Sequence, residues 1–306
     1  MDLANFLIQL LNSVQYGLLL FMLAAGLTLI FGIMGVVNLA HGSFYMLGAY
    51  LAWWLSSLSG SLTIAILGGS VLAVLFGLAL ERLLFRHFYQ RDHLDQVLLT
   101  FGLIYIFEEM RSILWGDDVH GVKVPELLSA SIPLTENLSY PVYRLFISGV
   151  CIALALGLYL LISKTRVGMK IRAGAFNREM TEALGVNVQG LFTAVFVFGA
   201  ALCALAGGLL GPLLAVQVGM GESVLILAFV VIIIGGIGSI RGALVGSLIV
   251  GTVDTLGRAL LPTLLRATLP ADAAATLGPA LASILIYLLM AAILFWRPQG
   301  LFPARA

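Results

Sequence analysis

Asn38, His41, Ser43 and Tyr45 bring amide, imidazole and hydroxyl groups into one stretch, Asn38-Leu-Ala-His41-Gly-Ser43-Phe-Tyr45-Met-Leu-Gly48-Ala-Tyr50, whose other residues are mostly apolar or small. In apolar surroundings such groups can line a cavity for a polar solute, or they can hold helices together by bonding to backbone carbonyls. The spacing serves both readings and gives His41 no proton-transfer role. A second candidate is Gly235-Gly-Ile-Gly238-Ser239-Ile-Arg-Gly-Ala243, where small residues beside a helix break leave room for a small molecule to pass. A third lies in a polar segment, where Phe176, Arg178, Glu179, Met180, Glu182, Ala183, Leu184 and Gly185 have the pattern of a contact surface.

None of these sets does bond-making chemistry. The chain has no Gly-x-x-x-x-Gly-Lys-Ser/Thr loop, and none of its lysines (Lys123, Lys164, Lys170) follows a glycine, so it cannot cradle a nucleotide in that way. His-Glu-x-x-His, Cys-x-x-Cys and Gly-x-Ser-x-Gly are also missing, which disfavours an enzyme. Cys151 and Cys203 fall inside apolar runs with no metal-like spacing and are expected as buried free thiols. No cofactor or metal is expected. A net charge of +1 is spread over loops without a basic face, so nucleic acid is not a partner.

The elements that must position these residues are membrane helices. Of 306 residues, 61% are hydrophobic and 10% charged, with a mean hydropathy of +1.08, against roughly 25% charged in an ordinary soluble domain. Apolar runs recur near 6–32, 39–58, 62–81, 94–115, 142–162, 189–214, 223–239, 242–260 and 279–296, without the alternation of a β-barrel. The fold class is therefore all-α and polytopic, a single transmembrane domain with nine spans. If 223–260 is one span with a re-entrant piece, there are eight.

With the C-terminus inside, the segments 82–93, 163–188, 240–241 and 297–306 carry eleven Lys and Arg residues, leaving Arg111, Lys123, Arg144, Arg258 and Arg266 outside. That asymmetry satisfies the positive-inside rule and puts the N-terminus outside. The outer segment 116–141 is acidic, with Asp117, Asp118, Glu126 and Glu136 against Lys123, and reads as a solvated connector. Asp254 and Arg258 stand four apart on one helix face and should neutralise each other. Gly207 and Gly211, and Gly238, Gly242 and Gly246, recur every fourth residue and offer flat faces for close helix packing.

The inner segment 163–188 contains a helix with readable ends. Asn177 can cap it, Glu179 suits its positive N-terminus, and Gly185 can take the left-handed conformation that stops it. Phe176, Met180 and Leu184 form one stripe, with Ala183 beside it, on a helix about two turns long. The stripe can lie among lipid headgroups or fill a groove on a cytosolic protein.

Glu182-Ala183-Leu184-Gly185 resembles the Glu-Ala-Ala loop of ABC importer permeases, which docks into a cleft of the ATPase subunit. Taken with the Asn38 to Tyr50 stretch, the Gly235 to Ala243 stretch and Arg297-Pro-Gln-Gly-Leu-Phe302, it makes the chain similar over nearly its whole length to branched-chain amino acid ABC transporter permeases, of the first permease type. The resemblance implies a bacterial inner-membrane importer working by alternating access. Its expected partners are a second permease subunit, two cytoplasmic ATPase subunits, a periplasmic substrate-binding protein and membrane lipid. Phe176 to Gly185 would be the coupling helix, and Asn38, His41, Ser43, Tyr45, Gly235, Gly238 and Ser239 the substrate path. Leu184 departs from the importer motif, where a second alanine is usual. A ribose-type sugar permease and a stand-alone carrier or channel are the rival readings.

Overall fold

The computed structural model describes residues 3–89, 91–135 and 138–303. Glu136 and the last residues of the 297–306 segment lie outside this set. Helices dominate: α1 (Leu3–Met34), α2 (His41–Ser59), α3 (Leu62–Leu80), α4 (Arg86–Phe88), α5 (His93–Trp115), α6 (Val142–Lys164), α7 (Arg166–Phe176), α8 (Arg178–Ala183), α9 (Val188–Leu210), α10 (Met220–Gly235), α11 (Ile240–Leu265) and α12 (Ala271–Trp296). A π-helical turn, Glu81–Phe85, joins α3 to α4 without a break in the coil. The protein is an all-α polytopic membrane protein with one small addition, an antiparallel hairpin of β1 (Ser131–Thr135) and β2 (Leu138–Pro141).

Each of the nine apolar runs overlaps a helix, though 39–58, 189–214 and 223–239 extend beyond theirs. Among the described residues, six helices are long and apolar enough to cross a membrane: Ala4–Met34, Leu62–Phe88, Val142–Lys164, Val188–Leu210, Ile240–Leu265 and Ala271–Trp296. The other three fall short for physical reasons. α2 is buried from His41 to Ala52, so half its length faces protein and needs no lipid-soluble surface. α5 carries Asp95, Glu108, Glu109 and Arg111. α10 has 16 residues, a rise of roughly 24 Å against a hydrocarbon core of about 30 Å.

The described residues form two compact units. One takes the chain up to Ala24, Glu126–Ala153, and the chain from Ala228; the other takes Ala25–Pro125 and Leu154–Leu227. In the second unit α2 packs on α3 and α9. The approach is backbone to backbone: a Cβ on Gly48 would lie inside the main chain of Ala204, one on Gly207 would meet the Tyr45 carbonyl, and one on Gly42 would meet the Gly221 carbonyl. Around this seam Phe44 makes edge-to-face contacts with Phe107 at 5.4 Å and Phe196 at 5.9 Å.

In the first unit α11 packs along α12, and the expected pair forms, with Arg258 Nε donating to Asp254 Oδ1 at 2.8 Å and its Nη2 to Ser283. Gly242 and Gly246 do make a flat face, meeting Gly235 and the Val231 carbonyl. Gly238 does not share it, because at φ +80° it forms the turn between α10 and α11.

The segment after α5, expected outside, is more structured than a plain connector. Arg111, 4% exposed, donates to the Gly116 carbonyl at 2.7 Å, to Asp117 at 2.6 Å and to Glu108 at 3.3 Å. Beyond it the His120 backbone pairs in both directions with Val216, and its ring stacks on Trp53 at 3.7 Å. The hairpin then closes the segment. The sequence shows the acidic excess but not these pairings, which join residues distant in the chain.

Two outcomes follow from these contacts. Gly48→Val should destabilise the helix seam by roughly 3 kcal/mol, read as a lower thermal midpoint in detergent, whereas Gly102→Ala, with open space at its Cβ position, should leave it unchanged. The Arg111 hydrogen bond holds the Asp117 carboxyl below its ordinary value of 3.8, so its contribution is complete at neutral pH and is lost as pH falls below that value. Asp117→Asn should therefore remove this part of the acid sensitivity, seen as flatter stability in a thermal series below about pH 4.

Candidate functional site

Two turns of polar sequence inside 163–188 become two short helices at a right place for contact. α7 starts at Thr165, whose hydroxyl accepts from Gly168 N at 3.1 Å, and Arg172 bonds the Ile162 carbonyl at the end of the preceding helix. α7 ends at Phe176. Asn177 then breaks the coil with extended backbone, φ −152° and ψ 102°, and its side chain caps α8 by accepting from Met180 N at 2.9 Å.

The other end of α8 is closed as its sequence demands. Gly185 takes φ +82°, its N–H bonds the Glu182 carbonyl at 2.9 Å, and Val186 N reaches back to Thr181 O at 3.3 Å. Glu179 stands in the first turn, and Arg178 pairs with Glu182 at 3.1 Å. Both caps agree with the expectation, but the stripe does not sit on one helix. Phe176 ends α7, Met180 lies in α8 and Leu184 caps it, because the Asn177 cap geometry requires a chain break there. All three remain uncovered, at 77%, 59% and 77% exposure, and Ala183 is exposed beside them.

The buried side of α8 rests on α9. Thr181 is buried and bonds its hydroxyl to Asn177 O, while the Arg178 guanidinium lies 5.0 Å from the centre of the Phe192 ring. An apolar stripe thus faces outward while a cation and a hydroxyl face the protein. The outward surface is mixed, because Glu179 and Glu182 are exposed beside the stripe.

Asn38, His41, Ser43 and Tyr45 come together at the break between α1 and α2. Gly35, at φ +65°, ends α1, and the Asn38 carbonyl accepts from His41 N at 3.3 Å to start α2. His41 fits against Gly26 and Gly199, with Nε2 2.9 Å from the Cys203 sulfur. Ser43 and Tyr45 are buried along α2. Asn38 is fully buried, and neither its amide oxygen nor its nitrogen has a hydrogen-bond partner. An amide left so costs about 1–3 kcal/mol.

Gly235, Gly238 and Ser239 lie in the other unit, at the α10–α11 turn. Ser239 caps α11 by accepting from Gly242 N at 3.1 Å. The turn is held by the Arg297 to Phe302 segment: Leu301 N donates to Ile234 O and Phe302 N to Gly235 O, both at 2.9 Å, and a Cβ on Gly300 would sit 2.5 Å from Gly236 Cα. Two stretches that look like separate motifs in the sequence are thus one backbone contact.

Two functional candidates were not read from the sequence. Glu81 is fully buried at the π-helical turn, accepting from Tyr89 OH at 2.8 Å with Oε1 while Oε2 has no partner. Gln96 donates to the Phe88 and Arg91 carbonyls, both at 3.1 Å, and its Oε1 is buried without a partner. The signal was a carboxylate at the end of an apolar run, which reads as a loop boundary unless the coil is known to continue.

A family model described as branched-chain amino acid transport system / permease component matches residues 9–294. The chain belongs to this permease family. It is 28% identical to the high-affinity branched-chain amino acid transport system permease protein BraD of Pseudomonas aeruginosa, over 98% of this chain and 96% of that one. It is 31% identical to the LivH permease protein of Escherichia coli, covering 84% and 87%, and 30% identical to a probable LivH of Methanocaldococcus jannaschii, covering 80% and 79%. A fructose import permease protein, FrcC of Rhizobium meliloti, is 33% identical over only 37% of this chain. No solved structure matches at a significant level.

The permease is thus an ABC transporter component, and its α8 end caps are testable apart from any partner. Asn177→Ala should cost α8 about 1 kcal/mol, seen as several-fold faster hydrogen exchange over residues 178–184 with exchange in α9 unchanged.

Proposed function

We propose that this chain is the transmembrane subunit of a bacterial inner-membrane importer for branched-chain amino acids, and that Phe176 to Gly185 is where ATPase subunits grip it. The observation that carries the reading is the exposed stripe of Phe176, Met180 and Leu184, which runs from the end of α7 across a doubly capped α8 that rests on α9 through Thr181 and Arg178. A stripe in the headgroup layer needs no fixed shape. A stripe entering a protein cleft does, and the Asn177 and Gly185 caps supply it.

In this reading α2, α5 and α10 also cross the bilayer, giving nine spans, with the C-terminus in the cytoplasm and the N-terminus outside. Arg82, Arg86, Lys164, Arg166, Lys170, Arg172 and Arg178 then share the cytoplasmic side with the coupling surface. The working complex contains a second permease subunit, two ATPases and a periplasmic binding protein that selects the substrate. No bond in the substrate changes. Nucleotide binding closes the ATPase pair, α8 moves with it, and the spans open to one side at a time. Amino acids are favoured over sugars because the amino acid relatives cover 80–98% of the chain.

The substrate path is assigned to the α1–α2 break. The Asn38 amide can donate to a carboxylate and accept from an ammonium group, and within the protein it does neither. His41, Ser43 and Tyr45 border it along α2. Gly235, Gly238 and Ser239, tied to the C-terminal segment, remain a separate candidate for the path within their own unit.

The test is leucine uptake and subunit co-purification with Leu184→Asp, which puts a charge into the docking stripe. ATPase association should fall at least tenfold, as expected where a charge replaces a buried apolar contact, with insertion and thermal midpoint unchanged because Leu184 is exposed in the permease alone. Wild-type association and uptake in this variant would exclude the role.

A further inference from the structure

Behind the coupling surface, the first two turns of α9 are held at three points by the segment that follows α3. Arg86 donates to Gln189 at 2.7 Å, Tyr89 meets Phe192 edge-on at 5.7 Å, and Phe85 meets Phe196 at 4.6 Å. Phe192 is the ring over which Arg178 of α8 lies, so α8 and Tyr89 press on one side chain of α9. Displacing α8 against α9 must therefore load the Glu81–Tyr89 segment next.

That segment is built to yield. Its coil is π-helical from Glu81 to Phe85, with one wider turn in place of regular α-helix. Its carboxylate is buried with a single partner, Tyr89 OH, and an orphan second oxygen. A buried carboxyl group in a membrane helix with one oxygen left unpartnered is costly.

On the far side of Tyr89 lies a crevice lined by Val36, Phe85, Phe88, Gln96, Leu99 and Thr100, too tight to admit a water molecule. Val36 belongs to the α1–α2 break, two residues before Asn38. The crevice therefore adjoins both the π-helical turn and the break.

We infer that Glu81 and Tyr89 are positioning residues for transport: their hydrogen bond is the joint through which movement of α8 and α9 opens the Val36 crevice at the α1–α2 break. This rests on the coupling role of α8. With the bond made, the turn moves with α9 and the crevice, shut at rest, opens when α9 is displaced. With it broken, motion of α9 is no longer delivered to the break, and ATP is hydrolysed without passage.

The test uses the whole importer in proteoliposomes with ATPases, binding protein and leucine. Tyr89→Phe should co-purify and hydrolyse ATP like wild type but carry about tenfold less leucine per ATP, as expected for loss of a buried hydrogen bond to a carboxyl group. Glu81→Gln keeps an acceptor for Tyr89 OH and should retain most of the coupling; if it uncouples as fully as Tyr89→Phe, the bond is not the joint. Unchanged leucine per ATP in Tyr89→Phe overturns the inference while leaving the α8 reading to its own test with Leu184→Asp. Should Tyr89→Phe fail to assemble, Val36→Cys in the otherwise native complex decides. Its alkylation by maleimide should differ at least fivefold between nucleotide-free and vanadate-trapped complexes, and equal rates in the two states overturn the proposal.

Discussion

Main-chain contact between α2 and α9 is the constraint on which the rest of the second unit depends. Inside a bilayer, apolar side chains gain little by leaving lipid for protein, so helix association rests on close approach and dispersion. Gly48 against Ala204, and Gly207 against Tyr45, bring the two coils to the shortest distance their backbones permit. Such a seam has no slack for sliding, since any small shift drives main chain into main chain. It fixes α9 as a rod whose first turns carry the contact surface and whose middle touches α2. What happens at Phe192 is consequently mechanical information for Phe196 and Phe44.

Asp117 and Asp254 have charged partners within 3 Å in Arg111 and Arg258 and behave as structural pairs, although Arg111 Nε is buried without a partner of its own. Asn38, Glu81 and Gln96 are buried, and each also keeps an atom without a partner. Evolutionary retention is not needed to see the difference: unpaired buried groups lower stability and the paired ones do not. The unpaired three lie in the same unit, near helix irregularities, the α1–α2 break and the π-helical turn. Irregular backbone and unsatisfied side chains occur together where a coil must change during its working cycle.

The parts of this arrangement that local sequence governs were readable in advance. Asn177 and Gly185 act on groups three or fewer residues away, so the ends of α8 follow from residue type alone. The Asp254–Arg258 pair is likewise one helical turn long. Apolar runs show where helices lie but not which face lipid: α2 reads as a span by length, and only tertiary contact reveals that half of it is enclosed by protein. Phe176 looks continuous with Met180 and Leu184 because period counting cannot see that Asn177 leaves the helical region to cap. Glu81 was passed over for the opposite reason, as a charge ending an apolar run ordinarily marks the membrane edge. The union of Gly235–Ser239 with Arg297–Phe302 spans some sixty residues of chain and has no local signature at all.

A six-residue helix is marginal by itself, and that marginality bears on why α8 is built as it is. A contact surface that folded only on docking would spend binding energy on its own ordering and transmit less displacement. Here both ends are capped, Arg178 is held between Glu182 and the Phe192 ring, and Thr181 is tied to Asn177, so the shape exists before any partner arrives. Leu184 then matters for strength: in place of alanine it offers about three more carbon groups, worth roughly 2 kcal/mol if wholly buried. Under the proposed coupling role, a preformed knob with a larger apolar tip would grip firmly without needing more length. Short length would also make it stiff, because force entering at Leu184 would reach α9 within two turns with little flexible chain in which to dissipate.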